Sequence, residues 1–326
     1  MRAVTHDRYT DAEGLTLGEV PVPEPGADRI RIRVEAAALN PFDWHLYRGE
    51  PWIMRLQQGL RVRGPRGVGA DVAGVVEAVG EDVDRFRVGD RVFGTIGRGA
   101  LAEAAVARPA ALAAVPDGVS SDDAAAAAMA GVTALQALRD TARLEAGERV
   151  LVWGASGGVG HLAVQLARVL GAGSVDAVCS GRNADLVRGL GADEVYDYTT
   201  SAAPVGPYDV VLDTVGTASI SRLKGLLAPE GRVVLVGALG GGRLLGPLGG
   251  TLRRGIGARL RGVDHRGMLA TVRGGDLALL GGWLADGSLV PAVQQTFGLD
   301  GAIEALRMLE AGHVAGKLVV RPRAGE

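Results

Sequence analysis

VLVWGASGGVG, residues Val150–Gly160, runs directly into HLAVQLARVLGA, residues 161–172. The opening VLVW is a continuous apolar run, as in a strand buried on both faces. The stretch after Gly160 repeats apolar residues at helical spacing. Between them lies a turn of small residues. Small residues belong where a chain must turn tightly, let a pyrophosphate approach its backbone and pack a helix close to a strand. The start of the helix then offers free N–H groups and a partial positive charge to phosphates. Ala155 stands where the first glycine of the usual triplet falls. Glycine-rich turns also occur as plain connections. The strand–turn–helix context nevertheless assigns Ser156, Gly157, Gly158, Val159 and Gly160 to a dinucleotide-binding turn.

On either side of this stretch strands and helices alternate. Arg149–Trp153 reads as a strand, Val159–Leu170 as a helix, Val175–Cys179 as a strand and Ala184–Leu190 as a helix. Asp209–Asp213, Ala218–Leu227 and Arg232–Val236 continue the pattern as strand, helix and strand. Such alternation implies a parallel sheet covered on both faces, an α/β domain. Upstream, Ser121–Arg139 is alanine-rich and opens with Ser-Asp-Asp, a helix start. Residues 1–110 read as strands and turns. In that region Arg29–Leu39 alternates charged and apolar residues, and Val72–Val79 and Arg91–Phe93 are bounded apolar runs. The tail gives helices near Asp276–Asp286 and at Asp300–Leu309, and strands at Val293–Phe297 and Lys317–Arg321. A β-rich domain thus flanks the α/β domain, and the C-terminal segment returns to it. Leu239–Gly257, rich in Gly, Leu and Arg, reads as a mobile or partner-facing insertion.

An NAD site wants a carboxylate about 20 residues beyond the glycines to hold the ribose hydroxyls. The second strand ends instead in Val178-Cys179-Ser180-Gly181-Arg182-Asn183. A guanidinium forks around a phosphate and a hydroxyl can donate to it. Ser180 and Arg182 are therefore expected on the 2′-phosphate of NADPH; the plain alternative is that Arg182 solvates a helix start.

Composition removes whole classes. The 326 residues are 47% hydrophobic and 22% charged, with net charge −2, the balance of a globular chain of about two domains. Net charge gives no reason to expect nucleic acid as a partner. The single cysteine, Cys179, excludes a disulfide framework and any multi-thiolate metal site. No run of eighteen apolar residues suggests a membrane span, and no secretory signal is visible, so a cytoplasmic location is expected. Of 35 basic residues only Lys224 and Lys317 are lysines.

Several stretches together carry a family resemblance: ALNPFDWHLYRG (Ala38–Gly49), GADVAGVVEAVGEDVDRFRVGDRVFG (Gly69–Gly94), AGVTALQAL (Ala130–Leu138), VLVWGASGGVG, YDVVLDTVG (Tyr208–Gly216) and LEAGHVAGKLVV (Leu309–Val320). They span essentially the whole chain. They resemble the medium-chain dehydrogenase/reductase superfamily, and within it the zinc-independent quinone oxidoreductase branch. The resemblance implies a GroES-like catalytic domain over 1–121 and 267–326, a Rossmann domain over 122–266 and a cofactor cleft between them. Zinc-dependent relatives carry a cysteine ligand where this chain has Asn40 and a histidine ligand where it has Ala70. No metal is therefore expected. Hydride transfer then suits acceptors that need little activation, quinones or α,β-unsaturated carbonyls, in place of simple alcohols.

By the same resemblance Asn40 and Thr133 line the nicotinamide and substrate side. His45 and Tyr47 are expected on the turn that follows Asn40. His45 is either a proton relay or a surface histidine, and Tyr47 either an acid or packing. Tyr198 falls near the 2′-phosphate or adenine, and Gly237 beside the nicotinamide ribose. Lys317 either reaches the cleft or is a solvated strand end. Water is an alternative proton source. Relatives pair a strand just after the insertion, here Arg259–Val263, which implies a homodimer. The run Arg253, Arg254, Arg259, Arg261 and Arg266 reads first as a solvated face and second as a membrane contact. Two other functions stay open: reduction of a CoA- or carrier-bound enoyl thioester, and cofactor binding without turnover.

Overall fold

The computed structural model describes residues 1–200, 203–236, 255 and 257–323. The chain divides into two compact units. The first comprises Met1–Glu50, Met54–Val132 and Val272–Glu326; the second comprises Pro51–Ile53 and Thr133–Thr271. Residues 122–132, expected with the α/β domain, group with the first unit, and residues 267–271 group with the second.

The first unit is built on antiparallel strands, apart from the parallel pair Val293–Gly298 and Lys317–Arg321. Ile30–Ala38 lies at its centre, with Ile30, Ile32 and Val34 fully buried and Arg31, Arg33 and Glu35 on the other face. This is the period of two read from the sequence. It pairs with Asp71–Val79, Ala104–Ala107 and Lys317–Arg321. Arg91–Thr95 and Leu112–Ala114 extend the sheet on one side, and Val293–Gly298 extends it on the other. A second sheet joins Thr16–Glu19, Arg2–His6 and Arg66–Gly67. Pro41–Arg48, expected as a turn, is a helix. Asn40 caps it, Pro41 occupies its first position where no N–H is needed, and Gly49 ends it with φ 58°. His45 and Tyr47 therefore stand on a helix.

The second unit has six parallel strands. Their spatial order is Val195–Asp197, Ser174–Cys179, Arg149–Trp153, Tyr208–Asp213, Leu227–Leu235 and Asp264–Gly267. This is the doubly wound order, with its switch between Arg149–Trp153 and Tyr208–Asp213, where such sheets bind ligands. Val150, Leu151 and Val152 are fully buried, as expected for a strand covered on both faces. The helix Gly160–Val169 buries Leu162, Val164 and Leu166. The helix Ser121–Gln136 starts one residue later than its cap: the Ser120 hydroxyl accepts the Asp123 N–H at 3.0 Å.

Two expectations fail here. Arg259–Val263 is helical and turn, not a strand; the edge strand is Asp264–Gly267. Arg266 is not a free surface charge, because it pairs with Asp264 at 2.6 Å and donates to the Thr141 carbonyl at 2.7 Å. Gly237, Arg253 and Arg254 lie outside the described residues, as does Leu239–Gly257 apart from Gly255 and Gly257.

Candidate active site

In the second unit the turn closes on itself without using most of its donors. Gly154 has φ 85°, and its carbonyl accepts the Gly157 N–H at 3.0 Å. Among the described residues, no acceptor faces the backbone N–H groups of Ser156, Gly158, Val159 and Gly160. Four donors therefore converge at a helix start, which is the arrangement that binds phosphate. Gly160 cannot carry a side chain: a Cβ there would overlap the Gly154 carbonyl and lie 2.8 Å from Ala155 Cα. The Gly157 N–H is already used within the turn, and the contribution of Gly157 is an open approach. The cradle thus fits the pyrophosphate of a dinucleotide.

Around it, Asn183 Nδ2 donates to Ser156 Oγ at 3.0 Å and ties the turn to the end of the second strand. Ser180 precedes the short 3-10 turn Gly181–Asn183, and Arg182 is exposed. The Tyr198 N–H donates to the Cys179 carbonyl at 3.1 Å, and its ring is 55% exposed. Sequence reasoning missed Asp197. Its Oδ1 accepts the N–H and hydroxyl of Thr199 at 2.9 and 2.7 Å, which hold its carboxyl below the usual range. Its other oxygen lies against Gly181. A carboxylate thus stands at this edge after all, supplied by the third strand and not the second. Thr133 is half-buried on Ser121–Gln136.

In the first unit Asn40 lies in a closed polar cluster. Three registers build it. Val319 pairs with Ala38, and continuing that antiparallel register sets Lys317 opposite Asn40. Ala36 pairs with Ala73, which brings Asp71 beside Ala38, and Asp71 pairs directly with Thr95. Lys317 Nζ donates to Asn40 Oδ1 at 2.5 Å and stands 4.0 Å from Asp71 Oδ2. Asn40 Nδ2 donates to Asp71 Oδ2 at 2.8 Å and to the Ala38 carbonyl at 3.3 Å. Asp71 also accepts the Thr95 hydroxyl at 2.7 Å and the Met129 N–H at 3.2 Å. Asp43 Oδ2 accepts the Asn40 N–H at 2.7 Å, while its Oδ1 is buried without a partner.

Asn40, Asp43, Asp71 and Lys317 are at most 4% exposed. Two carboxyls and one ammonium share this dry space, so one carboxyl has no counter-charge. Asp43 is the one that gives way: burial pushes its pKa up to about 7, and the nearby Asp71 charge pushes the same way. Burial also raises Asp71 and lowers Lys317, and each opposes the other's shift.

These contacts bear on three of the expected site residues. Lys317 is not a solvated strand end, because it is buried against Asn40 and Asp71. Both N–H bonds of the Asn40 amide are committed, so it has none left for a substrate anion. Tyr47 is fully buried, and its hydroxyl donates to Glu310 Oε1 at 2.5 Å, where Arg48 Nη2 also pairs with Oε2 at 2.6 Å. Burial and Glu310 raise its pKa above the tyrosine value, which favours the packing reading. His45 Nδ1 donates to the Glu50 carbonyl at 2.7 Å. A carbonyl only accepts, so the proton is on Nδ1 and Nε2 is an acceptor. Burial lowers its pKa and favours that neutral ring.

Comparison with known proteins agrees with this architecture. A family model described as the alcohol dehydrogenase GroES-like domain matches residues 26–117, and one described as zinc-binding dehydrogenase matches residues 190–320. The chloroplastic quinone-oxidoreductase QR1 of Triphysaria versicolor is 36% identical over 99% of this chain and 98% of its own length. The 2-methylene-furan-3-one reductase of Solanum lycopersicum is 32% identical over 99% of this chain and 79% of its own. The solved quinone oxidoreductase of Coxiella burnetii superposes with a TM-score of 0.88 at 31% identity, covering 99% of each chain.

Proposed function

Because this chain belongs to the medium-chain dehydrogenase/reductase superfamily, in its quinone oxidoreductase-like branch, we propose that it is an NADPH-dependent reductase of quinones or α,β-unsaturated carbonyls that works without zinc. An oxidoreductase with a nicotinamide cofactor is what the family implies; the coenzyme and acceptor are our reading. The observation that carries it is the cradle of four free N–H groups at Ser156, Gly158, Val159 and Gly160.

In this reading those groups hold the pyrophosphate, while Ser180, Arg182 and Tyr198 surround the 2′-phosphate and Asp197, engaged by Thr199 and lying against Gly181, does not hold the ribose. The cofactor supplies the hydride. Quinones and enones accept hydride without a Lewis acid, and the charge then moves to an oxygen that needs a donor. Thr133, which the family resemblance sets on the substrate side, is our candidate for a contact to that oxygen. Asn40 and Tyr47 are committed elsewhere and His45 offers an acceptor, so water delivers the closing proton. The zinc-free reading rests on residue chemistry. Asn40 and Ala70 offer neither thiolate nor imidazole, and the stretch 190–320 matched by the zinc-binding family contains no cysteine. A cytoplasmic homodimer joined through the edge strand Asp264–Gly267 completes the proposal, and light scattering that gives a monomer mass would remove the dimer.

The test is NADPH oxidation followed at 340 nm against quinones, free enones and enoyl thioesters, with NADH and a simple aldehyde as controls. Turnover of a quinone or free enone with NADPH preferred supports the proposal. Turnover of thioesters alone moves the substrate class, and tight NADPH binding without turnover points to a non-catalytic role.

A further inference from the structure

The first unit concentrates positive charge in one segment. Between Glu50 and Asp71 the sequence carries Arg55, Arg61, Arg63 and Arg66 and no acidic residue. Arg66 belongs to the short strand that pairs with Thr5–His6, with His6 directly opposite Arg66. The loop Arg98–Leu101 runs along the same strand: the N–H groups of Ala100 and Leu101 donate to the carbonyls of Gly69 and Val68, both at 2.9 Å. A Cβ on Gly67 would lie 2.8 Å from Gly99 Cα, so the two backbones are in contact. Arg66 and Arg98 each precede one of these touching glycines.

The backbones that carry Arg66 and Arg98 are thus in contact and the Arg66 charge reaches Arg98, and no carboxylate pairs with either among the described residues. Arg66 Nη2 donates to the Gln58 carbonyl at 2.9 Å, but its Nη1 is buried with no acceptor. Arg98 is exposed and makes no hydrogen bond or ion pair. Asp7, which follows the His6 that faces Arg66, pairs with Arg8 at 3.8 Å. His6 Nδ1 is used on the Arg8 carbonyl at 2.9 Å and adds no negative charge. Partial burial lowers the Arg98 pKa, and the like charge of Arg66 lowers it further. Buried donors without acceptors and unpaired like charges are both unfavourable, and one incoming oxyanion relieves both.

We propose that Arg66 and Arg98 form a binding site for a phosphate group. A phosphomonoester fits better than a carboxylate. It carries −1.5 to −2 charges against two guanidiniums, and its three oxygens can meet two forks at once, where a carboxylate fills one. The phosphate is carried either by a soluble ligand or by a lipid headgroup. Leu56 and Leu60, 74% and 73% exposed in the same arginine-rich segment, are the apolar surface that a lipid would also engage.

The test is a titration of the full chain, isotopically labelled, with inorganic phosphate and phenyl phosphate at low ionic strength. The backbone amides of Gly67 and Gly99 report this site, and the amide of Gly158 reports the glycine turn. The expected result is saturable shifts at Gly67 and Gly99. In Arg98→Gln these should need at least about tenfold more ligand, the loss of one charge-assisted contact, with the Gly158 response unchanged. Arg98 has no internal partner, so this variant keeps the fold. Sedimentation with phosphatidic acid vesicles, lost in Arg98→Gln, would make the carrier a lipid; binding of the soluble ligands alone would make it a free phosphate. The proposal is overturned if Gly67 and Gly99 stay still at phosphate levels that saturate Gly158, or if Arg98→Gln titrates like the unmodified chain.

Discussion

Replacing Lys317 by Met removes the one positive charge from the cluster that fixes Asn40. Methionine matches the length of the lysine stem, so the space stays filled and the change is electrostatic. What remains is the Asp71 carboxyl, fully buried, with hydrogen bonds from Asn40, Thr95 and Met129 but no counter-ion. Asn40 Oδ1 also loses its donor. Breaking a buried pair by removing one partner costs about 3–5 kcal/mol, because the other charge stays desolvated. The expected loss of folding free energy in Lys317→Met, measured by urea unfolding at pH 7.5, falls in that range. Converting Asp71 to Asn in the same chain removes the stranded charge, so Lys317→Met/Asp71→Asn should be more stable than Lys317→Met alone. A loss below about 1 kcal/mol, the worth of a surface ion pair, would show that Lys317 is solvated and that the cluster does not exist as described. A double variant less stable than the single one would contradict the charge argument itself.

Asp43 gives a pH signature. Its folded pKa is raised to about 7, so the folded chain holds a proton there that the unfolded chain has already released. That contribution is full below the ordinary carboxylate range and is lost as pH rises through about 7. Asp43→Asn keeps an acceptor for the Asn40 N–H, and stability against pH from 4 to 8 should fall less steeply than in the parent; parallel curves would refute the shift. Arg182→Ala should lower the preference for NADPH over NADH by at least about tenfold, read from kcat/KM with each coenzyme, and an unchanged ratio removes Arg182 from the 2′-phosphate. Tyr47→Phe should cost about 1 kcal/mol of stability and leave kcat within twofold, whereas a collapse of kcat at normal stability would restore Tyr47 as an acid.

What the sequence made legible was local. Arg149–Trp153 and Lys317–Arg321 are strands over the residues read, since apolar runs with clear boundaries declare themselves. The glycine turn was readable because strand, turn and helix follow without a gap. Pro41–Arg48 was not, because Asn-Pro signals both a turn and a capped helix start, and only packing decides. The polar cluster was not legible either. Asn40 and Lys317 are 277 positions apart, and Tyr47 and Glu310 are 263 apart. Only the strand registers bring Lys317 to Asn40, and no local pattern encodes them. Asp197 was hidden for a related reason. The carboxylate was sought at the end of the second strand, and the fold supplies one from the third.

The central claim is hydride transfer from NADPH to a quinone or enone with no metal. It is tested most directly by the initial rate of NADPH oxidation with a quinone or a free enone, before and after exhaustive chelation. Metal-free transfer from NADPH predicts a rate that survives chelation unchanged and exceeds the rate with NADH. A rate abolished by chelation and restored by zinc, or reduction confined to simple aldehydes, would contradict it.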